Sequence, residues 1–143
     1  MSEHRTSRAR YPSHPAQVKT ARQQAERAAR LWSLGTATAS ALELVVSELV
    51  TNAVKHARTA PGRQVGVTLT LGEKSVRVEI RDADPAPPKF RHPSDDSEDG
   101  RGLLLVESLC QGWGVEHMVI GKAVWAELQL TEPVTCPEPG EGQ

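Results

Sequence analysis

The stretch 42–57 constrains the fold most. Leu42, Val45, Val46, Leu49, Val50, Ala53, Val54 and Ala57 recur at alternating gaps of three and one, the spacing of a wide apolar stripe on a helix. A stripe this broad has to be covered, so the helix lies on a core. Yet Glu48, Asn52 and His56 recur every four residues along its edge, and side chains one turn apart stack on one face. Read blandly, Glu-x-x-x-Asn is a polar helix edge in which Asn52 is tolerated. Read as chemistry, the amide oxygen of Asn52 is a neutral, hard ligand for Mg²⁺ beside phosphate oxygens. A carboxylate one turn earlier, Glu48, can take a proton from a hydroxyl or from water.

The rest of the chain supplies a sheet for this helix to cover. Val65, Val67, Leu69 and Leu71 alternate with polar or small residues, as do Val76, Val78 and Ile80, and Gly72-Glu73-Lys74 reads as the hairpin loop between them. An earlier helix is expected over 16–34, with Val18, Ala21, Ala25, Ala28 and Trp32 on one side and Gly35 as its stop. The stretch 83–99 is dominated by Pro, Ser, Asp and charged residues, and a loop of that length is usually functional or disordered. A third helix is expected from about Gly100 through Leu109, buried at its start, where Leu103, Leu104 and Leu105 run together. Strands over 114–120 and 123–130 then turn on Gly121-Lys122.

Residues 1–15, basic and interrupted by Pro12 and Pro15, read as a flexible N-terminal arm or at most a short edge strand. The tail 131–143, with three prolines, two glycines and three glutamates, reads as disordered and acidic. Residues 16–130 remain as the folded domain. The order helix, helix, hairpin, loop, helix, hairpin gives an α+β fold: a two-layer sandwich of a mixed, mostly antiparallel sheet with helices on one face. It removes the alternating dinucleotide-binding layout, and no P-loop motif occurs.

Composition narrows the function classes. A net charge of −1 supplies no field for nucleic acid. Contact with DNA through the arginines of the arm, Arg5, Arg8 and Arg10, is therefore a weak option. Two cysteines, Cys110 and Cys136, make neither a disulfide framework nor a metal-ligand spacing. No signal peptide is expected and no apolar run is long enough to span a bilayer, so a cytoplasmic address follows by elimination. His92, Asp95 and Asp96 fit a solvated loop better than a metal site.

Two further features could meet the Glu48–Asn52 edge. Asp82 ends the run "VRVEIRD", where a carboxylate either caps the next loop or accepts a hydrogen bond from an exocyclic amine such as that of adenine. In "DGRGLLLV", Gly100 and Gly102 stand where a loop enters a helix, and unpaired backbone N–H groups there suit an anion.

Together and in this order, the segments resemble the anti-sigma-factor serine kinases of the ATPase superfamily shared with gyrase, heat-shock chaperones and sensor histidine kinases. "ELVVSELVTNAVKHA" is similar to that family's N box, "VRVEIRDADPAPP" to its first G box, and "DGRGLLLVESLCQGWGV" with "GKAVWAEL" to its second G box and closing hairpin. The resemblance implies a Bergerat-type fold over 16–130 that binds ATP and Mg²⁺. It implies Asn52 as the Mg²⁺ ligand, Glu48 as general base toward a serine hydroxyl or water, and Asp82 as acceptor of the adenine amine. Lys55 and His56 would lie near the phosphates, as would Gly100, Arg101, Gly102 and Leu103, with 83–99 as a lid. The implied partners are a sigma factor and an anti-anti-sigma antagonist, the latter the substrate, with a homodimer left open and neither membrane nor direct nucleic acid expected. A histidine-kinase remnant is disfavoured, because no dimerising phosphoacceptor helix precedes the domain.

One box departs from the pattern. Where the first G box reads Asp-x-Gly-x-Gly, this chain has "DADPA", with Asp84 and Ala86 at the glycine positions. That removes close backbone approach and places a carboxylate near an anionic ligand, unless Asp84 points away or its charge is offset by Lys89, Arg91 or Mg²⁺. The alternative to a kinase is accordingly a non-catalytic, nucleotide-sensing interaction module.

Overall fold

Alternating apolar and polar residues build the sheet. The computed structural model describes residues 5–56, 63–82 and 106–130. Its strands β1 (Thr6–Pro12), β2 (Gln64–Leu71), β3 (Ser75–Asp82), β4 (Gly112–His117) and β5 (Lys122–Gln129) form one sheet in the order β1-β2-β3-β5-β4. Every pairing among them is antiparallel. The helices α1 (Gln17–Leu31) and α2 (Thr36–His56) fall between β1 and β2 in the chain. They pack on each other, and α2 lies across β2, β3 and β5.

Register puts one face of each strand into the core. Val67 faces Ile80, Leu69 faces Val78 and Leu71 faces Val76; across the next seam, Ile80 faces Val124 and Val78 faces Ala126. All of these are buried, together with Leu42, Val45, Val46, Leu49, Val50 and Val54 of α2. By length and composition α2 could cross a membrane, but half of that window is buried here against sheet and helix.

The basic start takes the form of an edge strand rather than a loose arm. Tyr11 of β1 turns into the core, and its hydroxyl donates to Gln24 Oε1 of α1 at 2.7 Å. Gln24 Nε2 in turn donates to Ser7 Oγ at 3.0 Å and to the Val67 carbonyl at 3.4 Å. One buried amide thus ties α1 to β1 and β2. The two arginines Arg8 and Arg10 stay on the open side of the strand, exposed.

Two boundaries differ from the sequence expectation. The first helix ends at Leu31, before Gly35, because Ser33 adopts φ 53°. Leu34 N–H donates to the Ala29 carbonyl and Ser33 N–H to the Arg30 carbonyl, the paired bonds of a Schellman cap, made here without glycine. At the closing hairpin, the turn ends at Gly121, with φ 78°, where Met118 N–H donates to the Gly121 carbonyl. Lys122, expected in the turn, is instead the first residue of β5. Of the expected third helix, residues 106–109 are helical, with Val106 buried and Leu109 exposed; its start lies outside the described residues.

The other face of the sheet carries no helix among the described elements. Trp125 lies there beside Gly114, its direct partner on β4. A Cβ on Gly114 would come within 2.9 Å of the indole ring, so the ring occupies the space a side chain would need. Arg77 stacks over that ring, its Cζ 4.7 Å from the centroid, and its Nη1 lies 3.7 Å from Glu127 Oε2.

Candidate functional site

Asp82 ends β3 on the core side of the sheet, where the alternation Val76, Val78, Ile80 would next call for an apolar residue. Its side chain is 1 % exposed. A carboxylate so far from water must be offset by a partner, and the partner is Lys122. The two residues are directly opposed across the β3–β5 seam. Lys122 Nζ donates to Asp82 Oδ1 at 3.2 Å, and the lysine side chain is 2 % exposed. Among the described residues, the ion pairs Glu26–Arg30, Glu79–Arg81 and Arg77–Glu127 keep far more of their side chains in water, 18 % or more.

The candidate residues of α2 are presented differently. Glu48 and Asn52 are half-buried and Lys55 is exposed, flanking the buried stripe of Leu49, Val50, Ala53 and Val54. A half-buried helix edge is held by packing and still open to approach. Since α2 packs on β3 and β5, this helix and the Asp82–Lys122 pair belong to the same layer interface. His56 is the last residue of α2. Gly100, Arg101, Gly102 and Leu103, and the segment 83–99 read as a lid, lie outside the described residues.

The donor set suits an ion that brings its own ligands. Among the described residues no three His, Cys, Asp or Glu side chains gather to hold a metal. The single amide oxygen of Asn52 fits Mg²⁺, which keeps several waters and shares its coordination between few protein groups and phosphate oxygens. A site of that kind needs the nucleotide to complete it.

Sequence reasoning missed Lys122, and a signal for it existed. Val124, Ala126 and Leu128 define the buried face of β5. Stepping that period back by two lands on Lys122, a cation on an apolar face, which marks a position with a specific partner. The remaining features stand apart from this site. Cys110 is held as a thiol, because burial pushes it up to about 11. A cavity of about 420 Å³ opens on the helix-free side of the sheet, lined by Arg8, Arg10, Gly66, Thr68, Glu79 and Arg81. It lies across the sheet from Asp82 and shares no residue with the candidate site.

Comparison with known proteins agrees with this architecture. The family model described as the histidine kinase-like ATPase domain matches residues 11–126. Among solved structures, the blue-light activated histidine kinase of Erythrobacter litoralis EL346 aligns at 24% identity and a TM-score of 0.53, over 68% of this chain and 32% of that one. A structure of the histidine kinase domain of the same enzyme aligns at 22% identity and a TM-score of 0.50, over 84% of this chain and 62% of that one. This chain therefore spans less than two thirds of either, and at these identities the likeness is one of fold. No curated protein matches it.

Proposed function

We propose, for a chain that belongs to the histidine kinase-like ATPase domain family, that this ATP-binding domain works as a regulatory serine kinase of the anti-sigma type, in the cytoplasm, on an anti-anti-sigma antagonist. The observation that carries the reading is the buried carboxylate of Asp82 at the end of β3, on the core face of the sheet that α2, the helix of Glu48 and Asn52, packs against. A buried carboxylate is an acceptor held in place for a donor, and the exocyclic amine of adenine is such a donor.

In this reading Asn52 holds Mg²⁺ against the triphosphate, and the ion neutralises charge on the transferred phosphoryl group. Glu48 accepts the proton of the attacking serine hydroxyl. Lys55 and His56 lie toward the phosphates, and Gly100, Arg101, Gly102 and Leu103 belong to the same phosphate-binding set. The partners are a sigma factor and its antagonist, engaged by one copy or by a homodimer. Incubation with γ-labelled ATP and the antagonist transfers label to serine, and Glu48→Gln stops the transfer while ATP still binds. Transfer that survives Glu48→Gln would sink the assigned base.

A specific observation favours a second reading. Asp84 and Ala86 replace the glycines expected after Asp82, which hinders close approach of phosphate to backbone. On that reading the domain senses ATP and binds its partner without phosphotransfer, and Asn52→Ala abolishes the effect of ATP on partner binding.

A further inference from the structure

The helix-free face of the sheet carries a second constellation. Arg10 on β1 pairs with Gly66 on β2, and Gly66 with Arg81 on β3; two residues along, Arg8 pairs with Thr68 and Thr68 with Glu79. These residues line the cavity of about 420 Å³. Neighbouring strands lie about 4.8 Å apart, so Arg10 and Arg81 straddle Gly66 with their backbones roughly 10 Å from each other. Guanidinium groups on stems that long can meet over the glycine.

Protection of the sheet edge explains only part of this. Arginines on an edge strand such as β1 deter pairing with other chains, but Arg81 stands on β3, in the middle of the sheet. Three guanidinium groups share one carboxylate. Arg81 Nε donates to Glu79 Oε2 at 3.1 Å, whereas Arg8 and Arg10 make no ion pair among the described residues. Like charges held this close repel unless an anion lies between them. Nor does the strand need Gly66. Among the described residues, a Cβ there would meet Arg81 Cβ alone, at 3.8 Å, an ordinary contact. A glycine inside a strand weakens it, and often marks a place where a ligand comes close to the backbone. Here the missing side chain leaves an open floor between two arginines.

We propose that this cavity binds a small polyanion, a phosphate ester or a polycarboxylate, with one oxyanion over Gly66 between Arg10 and Arg81 and another toward Arg8 and the Thr68 hydroxyl. The guanidinium fork matches either kind of oxyanion with two parallel hydrogen bonds. Glu79 holds Arg81 by its Nε and leaves the terminal N–H groups of that fork for the ligand. The volume is that of a small-molecule site, and a net charge of −1 supplies no wider field for a nucleic-acid track. The cavity shares no residue with Glu48, Asn52 and Asp82, so the proposal stands independently of the ATP reading.

The test is calorimetric titration of the full chain, without Mg²⁺, using pyrophosphate and citrate as probes. Wild type binds at least one of them at one site per chain with a Kd below about 1 mM, and the tighter of the two shows whether phosphate or carboxylate is preferred. Arg10→Gln and Arg81→Gln each weaken that binding roughly 10-fold, the scale of a charge-assisted contact. Gly66→Val fills the floor and weakens it as much, while the melting temperature stays level or rises, because valine suits a strand. Wild type that binds neither probe overturns the proposal. So does binding that Arg10→Gln and Arg81→Gln leave unchanged, which places the anion elsewhere, the nucleotide site included, and makes these arginines surface charges only. Arg10 is exposed on the edge strand, so Arg10→Gln leaves the core intact and decides the question even where Gly66→Val fails to fold.

Discussion

Lys122 and Asp82 face each other across the β3–β5 seam, Nζ to Oδ1 at 3.2 Å, with both side chains out of water. Removing either one takes this contact away from a charge that stays in the core. Lys122→Met and Asp82→Asn should each destabilise the fold by roughly 3–5 kcal/mol. The double variant should cost clearly less than the sum, because two neutral groups leave no charge to strand. Urea unfolding of the four proteins measures this directly; strictly additive losses would mean that the two side chains do not act as a pair.

The Gln24 amide makes a second prediction, about how β1 is held. Tyr11 is the only tyrosine in the chain, so tyrosinate absorbance reports it alone. Burial raises its ionisation above the ordinary value of 10.0, with Arg27 opposing the shift. The folded state thus holds the proton more tightly than the unfolded chain. The associated stability is complete below the unfolded value and is lost as pH rises through the folded one. Alkaline titration should show a midpoint above 10 in buffer and an ordinary one in denaturant. Gln24→Ala should lower stability by about 1–3 kcal/mol, since it leaves the buried Tyr11 hydroxyl without its acceptor.

On the helix-free side, Gly114 is required by its neighbour. An added methyl meets the Trp125 ring at 2.9 Å, so Gly114→Ala must displace the indole that Arg77 covers. A loss of about 1–3 kcal/mol is expected, as for other overpacked sites. In a Trp125→Val background the same substitution should cost little. An equal cost in both backgrounds would trace the effect to the backbone of β4 rather than to the ring.

Much of this architecture is legible in the residues. The period-two runs of β2 and β3 and the stripe of α2 identify the sheet, its hairpin and the covering helix, because burial of one face leaves that pattern in the chain. The parts that are less clearly signalled lack such a pattern or disguise it. Ser33 stops α1 through a left-handed cap, a task usually signalled by glycine, so Gly35 looked like the stop. In β1, prolines and arginines obscure the inward alternation of Ser7, Ala9 and Tyr11. At the site, Asp82 was legible as a strand-end carboxylate, whereas Lys122 was hidden by Gly121, whose turn signal absorbed its neighbour. A buried charge is specified by its partner across the sheet, and that relation is invisible along the chain.

Whether this domain holds ATP through Asp82 is decided by one titration. Calorimetry of the wild-type chain with ATP and Mg²⁺, repeated for Asp82→Asn after confirming by circular dichroism that the variant is folded, separates the outcomes. Wild type should bind saturably at one site per chain, with at least about a 10-fold loss in Asp82→Asn, the scale of a charge-assisted hydrogen bond. No binding by wild type, or equal affinity in the two proteins, would contradict it.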